Sequence, residues 1–224
     1  MPQDHWTAVD RYFTDLLHEP DPILEEVLRS SKSAGLPPIH VSPILGKFLM
    51  ILAQTQKAKS ILEVGTLAGY STIWLARGLP PDGRLITLES DERHAKMARS
   101  NLAKAGFSKI TEVILGPAYH TLPQLSKDGR GPFDLIFIDA DKPNNAEYFD
   151  WAVKLSHKGS LIIVDNVVRD GQVLDAASTD PFVQGVRRFN DLLAAEKRVS
   201  ATAIQTVGSK GYDGFAIATV IADP

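Results

Sequence analysis

The segment "SILEVGTLAGYSTIWLARG", residues 60–78, decides the fold that this sequence predicts. It begins with a short apolar run, continues through a loop that contains Gly65 and Gly69, and ends in apolar residues at helical spacing. A strand that leads into a helix is the first half of a βαβ unit, in which the next strand is parallel to the first. We therefore expect a parallel sheet, with a ligand site in the glycine loop.

The same alternation of strand and helix continues along the chain, which predicts helices on both faces of the sheet. The near-continuous apolar runs "LIFI" and "LIIV" are typical of strands that are covered on both sides. At the C-terminus, "VSATAIQTV" and "GFAIATVI" flank "GSKGYDG", in which Asp213-Gly214 predicts a hairpin turn and an antiparallel strand. The predicted class is α/β, with a doubly wound, mostly parallel sheet of seven strands.

The N-terminal part has a different pattern from the rest. Residues 1–56 show helical spacing interrupted by Pro and Gly, and the predicted sheet begins at Ser60. No interdomain linker is present, so we predict one domain over residues 1–224. It would consist of a helical cap, residues 1–56, and a core, residues 57–224.

Composition restricts the functional classes. The chain has 224 residues, a formal net charge of −3 and no cysteine, so disulfides and thiolate chemistry are excluded. There is no long basic block, which argues against nucleic acid or an anionic membrane as a partner. The N-terminus lacks a signal-peptide pattern, and the apolar runs are short for a membrane span. The expected location is the cytoplasm.

Acidic residues accompany the glycine loop. Its Gly-x-x-x-Gly spacing differs from the Gly-x-Gly-x-x-Gly of dinucleotide sites. Glu63 lies next to the loop, where it would repel a pyrophosphate and attract a cationic group. Glu89 ends the second strand, twenty residues after Gly69, where an acid can bind ribose hydroxyls. A ribose with a cationic amino-acid tail describes S-adenosylmethionine; the alternative is a tight turn beside a surface acid.

The "GYST" part of the loop argues against a serine hydrolase. A nucleophile elbow requires Gly-x-Ser-x-Gly, and Ile73 stands where the last glycine would be. We expect Ser71 to cap the following helix and to contact the cofactor.

Two later strands end in acidic residues. Asp139 follows one apolar run, and Asp165 with Asn166 follows another. Because neighbouring parallel strands end at the same sheet edge, two carboxylates and an amide oxygen could bind one hard cation such as Mg²⁺. Lys142 would lie nearby as a proton acceptor. The alternative is a solvated loop with ordinary salt bridges. Zinc is disfavoured, because cysteine is absent and the six histidines show no ligand spacing.

The ordered motifs "LEVGTLAGYST", Glu89, "GPA", "IDADK" and "VDN" resemble the cation-dependent class I O-methyltransferases. Caffeoyl-CoA and catechol O-methyltransferases are the best-known members. The resemblance extends from about residue 36 to the C-terminus, and "DADK" is closer to the caffeoyl-CoA and bacterial branch. It implies a Rossmann-like fold with an N-terminal helical extension.

The resemblance also implies roles for individual residues. Lys142 would be the general base, with Asp139 beside it in the catalytic centre. The ligands of Mg²⁺ or a similar ion (Mn²⁺, Ca²⁺) would be Asp139, Asp165 and Asn166. The residues implied to bind S-adenosylmethionine are Val41, Glu63, Gly65, Thr66, Ser71, Glu89, Ser90, Ala118 and Asp139.

The implied reaction is methyl transfer to a hydroxyl of an aromatic vicinal diol, by a homodimeric enzyme. Substrate selection would involve the N-terminal helices and the loop after the fifth strand, with Trp6, Arg169 and Asp170 as candidates. A CoA ester and a small free catechol both remain open. Two other classes also remain open: an NAD(P)-dependent oxidoreductase on a similar sheet, and a non-catalytic protein that binds S-adenosylmethionine.

Overall fold

The computed structural model describes residues 2–223, which form eight α-helices and seven strands. Two short 3₁₀ turns are formed by Lys142–Asn144 and Gln172–Leu174. The elements in chain order are α1 (Pro2–Leu17), α2 (Pro22–Ser33), α3 (Pro43–Thr55), β1 (Ser60–Val64), α4 (Tyr70–Gly78), β2 (Arg84–Glu89), α5 (Glu92–Lys104), β3 (Thr111–Leu115), α6 (Ala118–Lys127), β4 (Phe133–Ile138), α7 (Asn145–Lys154), β5 (Ser156–Asp165), α8 (Pro181–Ala195), β6 (Val199–Gly208) and β7 (Gly211–Val220).

The seven strands form one sheet in the order β3-β2-β1-β4-β5-β7-β6. Strands β1 to β5 are parallel, and β7 is antiparallel to both β5 and β6. The chain runs outward from β1 to β3 and then returns to β4 on the other side of β1. This reversal creates a crevice at the carboxyl ends of β1 and β4, where sheets of this class bind ligands.

Helices cover both faces of the sheet, as predicted. Successive side chains of a strand point to opposite faces, so Ile61 and Leu62 of β1 belong to two different cores. The core around Ile61 is closed by α2, α3, α4 and α5, and the core around Leu62 by α6, α7 and α8. Both side chains are completely buried. The double covering explains the near-continuous apolar strands.

Capping residues mark several helix starts. The side chains of Asp21, Ser42 and Asp180 accept hydrogen bonds from backbone N–H groups of the first turns of α2, α3 and α8. A proline follows each cap, at the position where its missing N–H has no cost.

The predicted position of the hairpin turn was wrong. Asp213 and Gly214 lie inside β7, opposite Thr206 and Gln205, and the turn is formed by residues 209–210. Gly211, which follows this turn, has φ +97°, a conformation that glycine adopts easily. Gly214 is required by packing instead, because a β-carbon at this position would collide with the backbone of β6.

The first helix lies beside the β6–β7 hairpin. The side chain of Gln3 donates a hydrogen bond to the Gly208 carbonyl (3.0 Å), and Asp10 accepts one from the Ser209 N–H (2.7 Å). Several apolar side chains of α1 remain exposed: Val9, Tyr12, Phe13, Leu16 and Leu17. Within residues 2–223, no helix combines the length and apolarity needed to cross a bilayer.

Candidate active site

A cavity of about 710 Å³ opens at the carboxyl ends of β1, β2 and β4. It lies at the crevice that the strand order creates. Nearly all of the residues implied to bind the cofactor line it, although they are far apart in the sequence. These are Val41, Gly65, Thr66, Ser71, Glu89, Ser90, Ala118 and Asp139.

The glycines of the loop are required by their surroundings. Gly65 has φ +100°, and a β-carbon built on it would collide with the backbone carbonyl of Asp139. Gly69 has φ +85° and is the N-cap of α4. The expected helix cap at Ser71 was therefore wrong, because Ser71 lies within the first turn and its hydroxyl points to Glu63.

Glu63 differs from the other predicted cofactor residues because it does not line the cavity. Its side chain is completely buried below the glycine loop. One carboxylate oxygen accepts a hydrogen bond from Ser71 (2.6 Å), and the other accepts from Thr72 (2.5 Å) and Thr87 (2.6 Å). Burial raises the pKa of Glu63 to about 7, although the three hydroxyls oppose this shift. Glu63 thus supports the loop from below and contacts the cavity through Ser71.

Glu89 lies at the tip of β2 and is almost completely buried. Its carboxylate accepts hydrogen bonds from the Leu67 N–H (2.7 Å) and the Asp91 N–H (2.9 Å). Each oxygen keeps a further acceptor position. The nearest imidazole nitrogen of His94 is 3.7 Å away, and His94 also lines the cavity. Sequence reasoning missed His94, because nothing in its local pattern separates it from an ordinary helix residue.

The three predicted metal ligands come together at the tips of β4 and β5, which are neighbours in the sheet. Asp165 is buried, and burial together with the negative charge of Asp139 raises its pKa above the ordinary range of an aspartate. Asn166 has φ +60°, an uncommon conformation that Asn tolerates better than most residues. Among residues 2–223, no site has three or more His, Cys, Asp or Glu side chains suited to a metal. Two carboxylates and an amide oxygen still fit a hard cation.

Lys142 lies at the same point. Its ammonium nitrogen is 2.8 Å from a carboxylate oxygen of Asp139, and its side chain is buried. The turn that carries it is held by Asp141, which accepts hydrogen bonds from the Tyr148 hydroxyl (2.6 Å) and the Asn144 amide (2.5 Å). Sequence reasoning did not assign Asn144 and Tyr148, whose bonds become visible only when α7 packs against this turn.

A second cavity of about 690 Å³ reaches the two aspartates from another side. Its walls come from the loop before α3, from α3 itself and from the β6–β7 hairpin. Of the candidates for substrate selection, Arg169 lines both cavities and Asp170 the second, whereas Trp6 lines neither. The two cavities share Asp139 and Asn166, so their contents would meet at these residues.

The chain is similar to known O-methyltransferases in sequence and in structure. The model of a family described as O-methyltransferase matches residues 15–217. The chain is 56% identical over 213 residues to a catechol O-methyltransferase from Niastella koreensis, with 95% of this chain and 96% of that protein covered.

Two solved structures are also very similar. One is an O-methyltransferase from Bacillus cereus in complex with SAH, with a TM-score of 0.96, 58% identity, and 97% of this chain and 99% of that chain covered. The other is the O-methyltransferase TomG from Streptomyces achromogenes, involved in tomaymycin synthesis and in complex with SAM. It has a TM-score of 0.96 and 49% identity, and covers 99% of this chain and 100% of that one.

These matches confirm the predicted enzyme class, an S-adenosylmethionine-dependent O-methyltransferase. The other two classes, an oxidoreductase and a non-catalytic binding protein, are set aside. Because the family model spans most of the sequence and relatives are identical at about half of their positions, the chain belongs to the O-methyltransferase family.

Proposed function

We propose that this enzyme methylates one hydroxyl of an aromatic vicinal diol, with a divalent cation bound by Asp139, Asp165 and Asn166. Lys142 is the general base. The observation that carries the proposal is the meeting of these four side chains where the two cavities join. The name of the Niastella koreensis relative, a catechol O-methyltransferase, supports the substrate class.

The first cavity holds S-adenosylmethionine in this proposal. Glu89 accepts hydrogen bonds from the ribose hydroxyls, since each of its oxygens has an acceptor position left. Ser90 and Ala118 lie beside the adenine, and Gly65 and Thr66 line the methionine end. Ser71 is oriented by Glu63 rather than by the helix terminus. The SAH and SAM complexes of the two similar structures support this use of the cavity.

The donor set at the two strand tips suits Mg²⁺, Mn²⁺ or Ca²⁺, which prefer oxygen ligands. The buried Asp165 supports a cation here, because its negative charge is costly to bury without a positive partner. When bound, the ion supplies positive charge that lowers the pKa of a coordinated hydroxyl. Both hydroxyls of a vicinal diol can reach one ion, whereas those of a 1,3-diol are too far apart.

Lys142 removes the proton from the hydroxyl that becomes methylated. The oxygen then attacks the methyl carbon, the carbon–sulfur bond breaks, and the products are a methyl ether and S-adenosylhomocysteine. Because the sulfonium methyl is already activated, most of the rate comes from holding oxygen, carbon and sulfur in line. Lys142 accepts this proton as the neutral amine and becomes the ammonium ion, and Asp139 contributes by fixing the position of the Lys142 nitrogen.

We also propose that the chain acts as a homodimer in the cytoplasm, with residues 1–224 as one domain. The exposed apolar side chains of α1, Tyr12 and Leu16 among them, support a second copy as the partner of this helix. Light scattering should give the mass of a dimer, and Leu16→Lys should shift it toward the monomer. A monomeric mass for the unmodified chain would overturn the proposed homodimer.

The test of the activity uses metal-free enzyme with S-adenosylmethionine and three acceptors: catechol, resorcinol and phenol. Methylation of catechol should require added Mg²⁺ and stop with chelator, while resorcinol and phenol react little. Asp165→Asn should raise the Mg²⁺ concentration that half-saturates the rate. Equal rates on all three acceptors in the presence of chelator would overturn both the proposed cation requirement and the proposed specificity for a vicinal diol.

A further inference from the structure

Two cationic side chains that line the second cavity form no ion pair with a carboxylate of the described residues. They belong to Arg169 and Lys210. Unpaired cations that face a substrate cavity are suited to bind an anionic group.

The backbone of Arg169 is held by a hydrogen bond, and one nitrogen of its side chain has no hydrogen-bond partner among the described residues. Its backbone N–H donates a hydrogen bond to Asp213 (2.9 Å), and its φ is +56°. The side-chain Nε is buried and has no hydrogen-bond partner among the described residues. The guanidinium carbon is 5.9 Å from the ring centroid of Phe182, within cation–π range. A buried donor without a partner is costly, so this group is suited to receive an acceptor from a ligand.

Lys210 belongs to the turn between β6 and β7. Its ammonium group donates a hydrogen bond to the Pro38 carbonyl (3.0 Å), which connects the turn to the loop before α3. Partial burial lowers the pKa of Lys210, and no carboxylate opposes this shift. The charge of Lys210 also helps to lower the pKa of His40, which lines the same cavity. The positive charge of Lys210 therefore acts on this cavity.

The carboxylates around the cavity have other partners. Asp10 accepts a hydrogen bond from the Ser209 N–H (2.7 Å), and Asp213 accepts three from backbone N–H groups. Asp170 is exposed. Asp139 and Asp165 are the proposed metal ligands, whose charge the cation would balance. Asp10, Asp170 and Asp213 keep their negative charges, but none of them forms an ion pair with Arg169 or Lys210. Among the described residues, these two cationic head groups therefore remain without a carboxylate partner.

We propose that Arg169 and Lys210 form an anion subsite, and that the acceptor is a vicinal dihydroxy arene bearing a carboxylate. This inference rests on the proposed function and narrows its substrate class. The diol would lie at Asp139 and Asp165 and the carboxylate at Arg169, which is three residues after Asn166. Arg169 is then a specificity-determining residue, since a guanidinium can bind a carboxylate through two parallel hydrogen bonds.

The experiment compares 3,4-dihydroxybenzoate with its methyl ester, which keeps the diol and the electron-withdrawing carbonyl but has no charge. For the unmodified enzyme with Mg²⁺, kcat/KM for the acid should exceed that for the ester by about tenfold, which corresponds to about 1.4 kcal/mol. Arg169→Gln should bring this ratio close to one, and Arg169→Lys should restore part of it. Lys210→Gln should reduce the ratio by a smaller factor.

The control is Arg99→Gln, which removes an exposed arginine on α5 whose side chain donates a hydrogen bond to the Val113 carbonyl. It should leave the ratio unchanged. A ratio of one in the unmodified enzyme, or an unchanged ratio in Arg169→Gln, would overturn the subsite. If neither compound is methylated, the proposed function fails separately. In that case, calorimetry measures the affinity of the SAH-bound protein for each compound. The ratio of the affinity for the acid to that for the ester should exceed one in the unmodified protein and approach one in Arg169→Gln.

Discussion

The backbone carbonyl of Asp139 lies where a β-carbon on Gly65 would be. Gly65 belongs to the loop after β1, which lines the proposed cofactor cavity, and Asp139 follows β4 at the proposed metal site. The two strands pair in parallel up to Val64 and Ile138, the residues just before this contact. The position of the glycine loop is therefore coupled to that of the metal-binding strand through one backbone contact.

Gly65→Ala should disturb both the glycine loop of the proposed cofactor cavity and the strand end that carries Asp139. The new β-carbon would force the loop away from Asp139, and Ala is disfavoured at φ +100°. We expect a loss of at least about 2 kcal/mol in the free energy of unfolding, together with a large loss of SAH affinity measured by calorimetry. Gly106→Ala is the matched control, since Gly106 has φ +82° but no neighbour within 4 Å. Equal losses of stability and of SAH affinity in the two variants would show that the contact with Asp139 is unimportant.

Lys142→Met should separate catalysis from cofactor binding. The substitution keeps an unbranched side chain of similar length but removes the base, so kcat should fall by about 10²–10⁴-fold. SAH affinity should change much less, because the adenosine end of the cavity is remote from Lys142 in the proposed binding mode. Lys154→Met is the control, since Lys154 is an exposed residue of α7 that pairs with Asp150. If kcat remained within a few-fold of the unmodified value, Lys142 would not be the base.

Glu63 should make stability depend on pH. Its pKa is raised from 4.5 to about 7 in the folded protein, so the folded state binds its proton more tightly than the unfolded state. Stability therefore falls as the pH rises from about 5 to about 8, by up to about 3 kcal/mol for this group. Denaturant unfolding should show this fall in the unmodified protein and a smaller fall in Glu63→Gln.

The control for this measurement is Glu196→Gln. Pairing with Arg198 lowers the pKa of Glu196 to about 2, so its stabilising contribution is present above the unfolded pKa of 4.5 and is lost only at more acidic pH. The substitution should therefore leave the change between pH 5 and 8 unaltered. An identical pH dependence in Glu63→Gln and the unmodified protein would contradict the role of Glu63.

Asp213→Ala should loosen the loop that carries Asn166 and Arg169. One carboxylate oxygen of Asp213 accepts hydrogen bonds from the N–H groups of Val168 (3.0 Å), Arg169 (2.9 Å) and Gly214 (3.0 Å). Their loss should cost about 1–3 kcal/mol in the free energy of unfolding and raise KM for the acceptor. Asp175→Ala removes a single bond, to Ala177, in an exposed part of the same loop, and should have a small effect. A larger effect from Asp175→Ala would refute the prediction.

The sequence was a good guide wherever the chemistry depends on strand ends. The carboxyl ends of parallel strands share one edge, so Glu89, Asp139 and Asp165 could be placed near one cleft before their contacts were known. It was a poor guide to local geometry. Ser71 proved not to be a cap, because its hydroxyl donates to Glu63 of β1. Asp213 proved to be a strand residue, because it pairs with Thr206 across the hairpin.

By itself, the sequence determined the class of fold, because apolar runs that alternate with helical segments can be buried only in a sheet covered on both faces. It also determined which residue types stand at the sheet edge. Only the tertiary structure decided that Glu63 faces three hydroxyls rather than the cavity. It also decided that Arg169 and Lys210 line the same cavity. The physical reason is that the direction of a side chain depends on the elements packed around it, and those elements are far away along the chain.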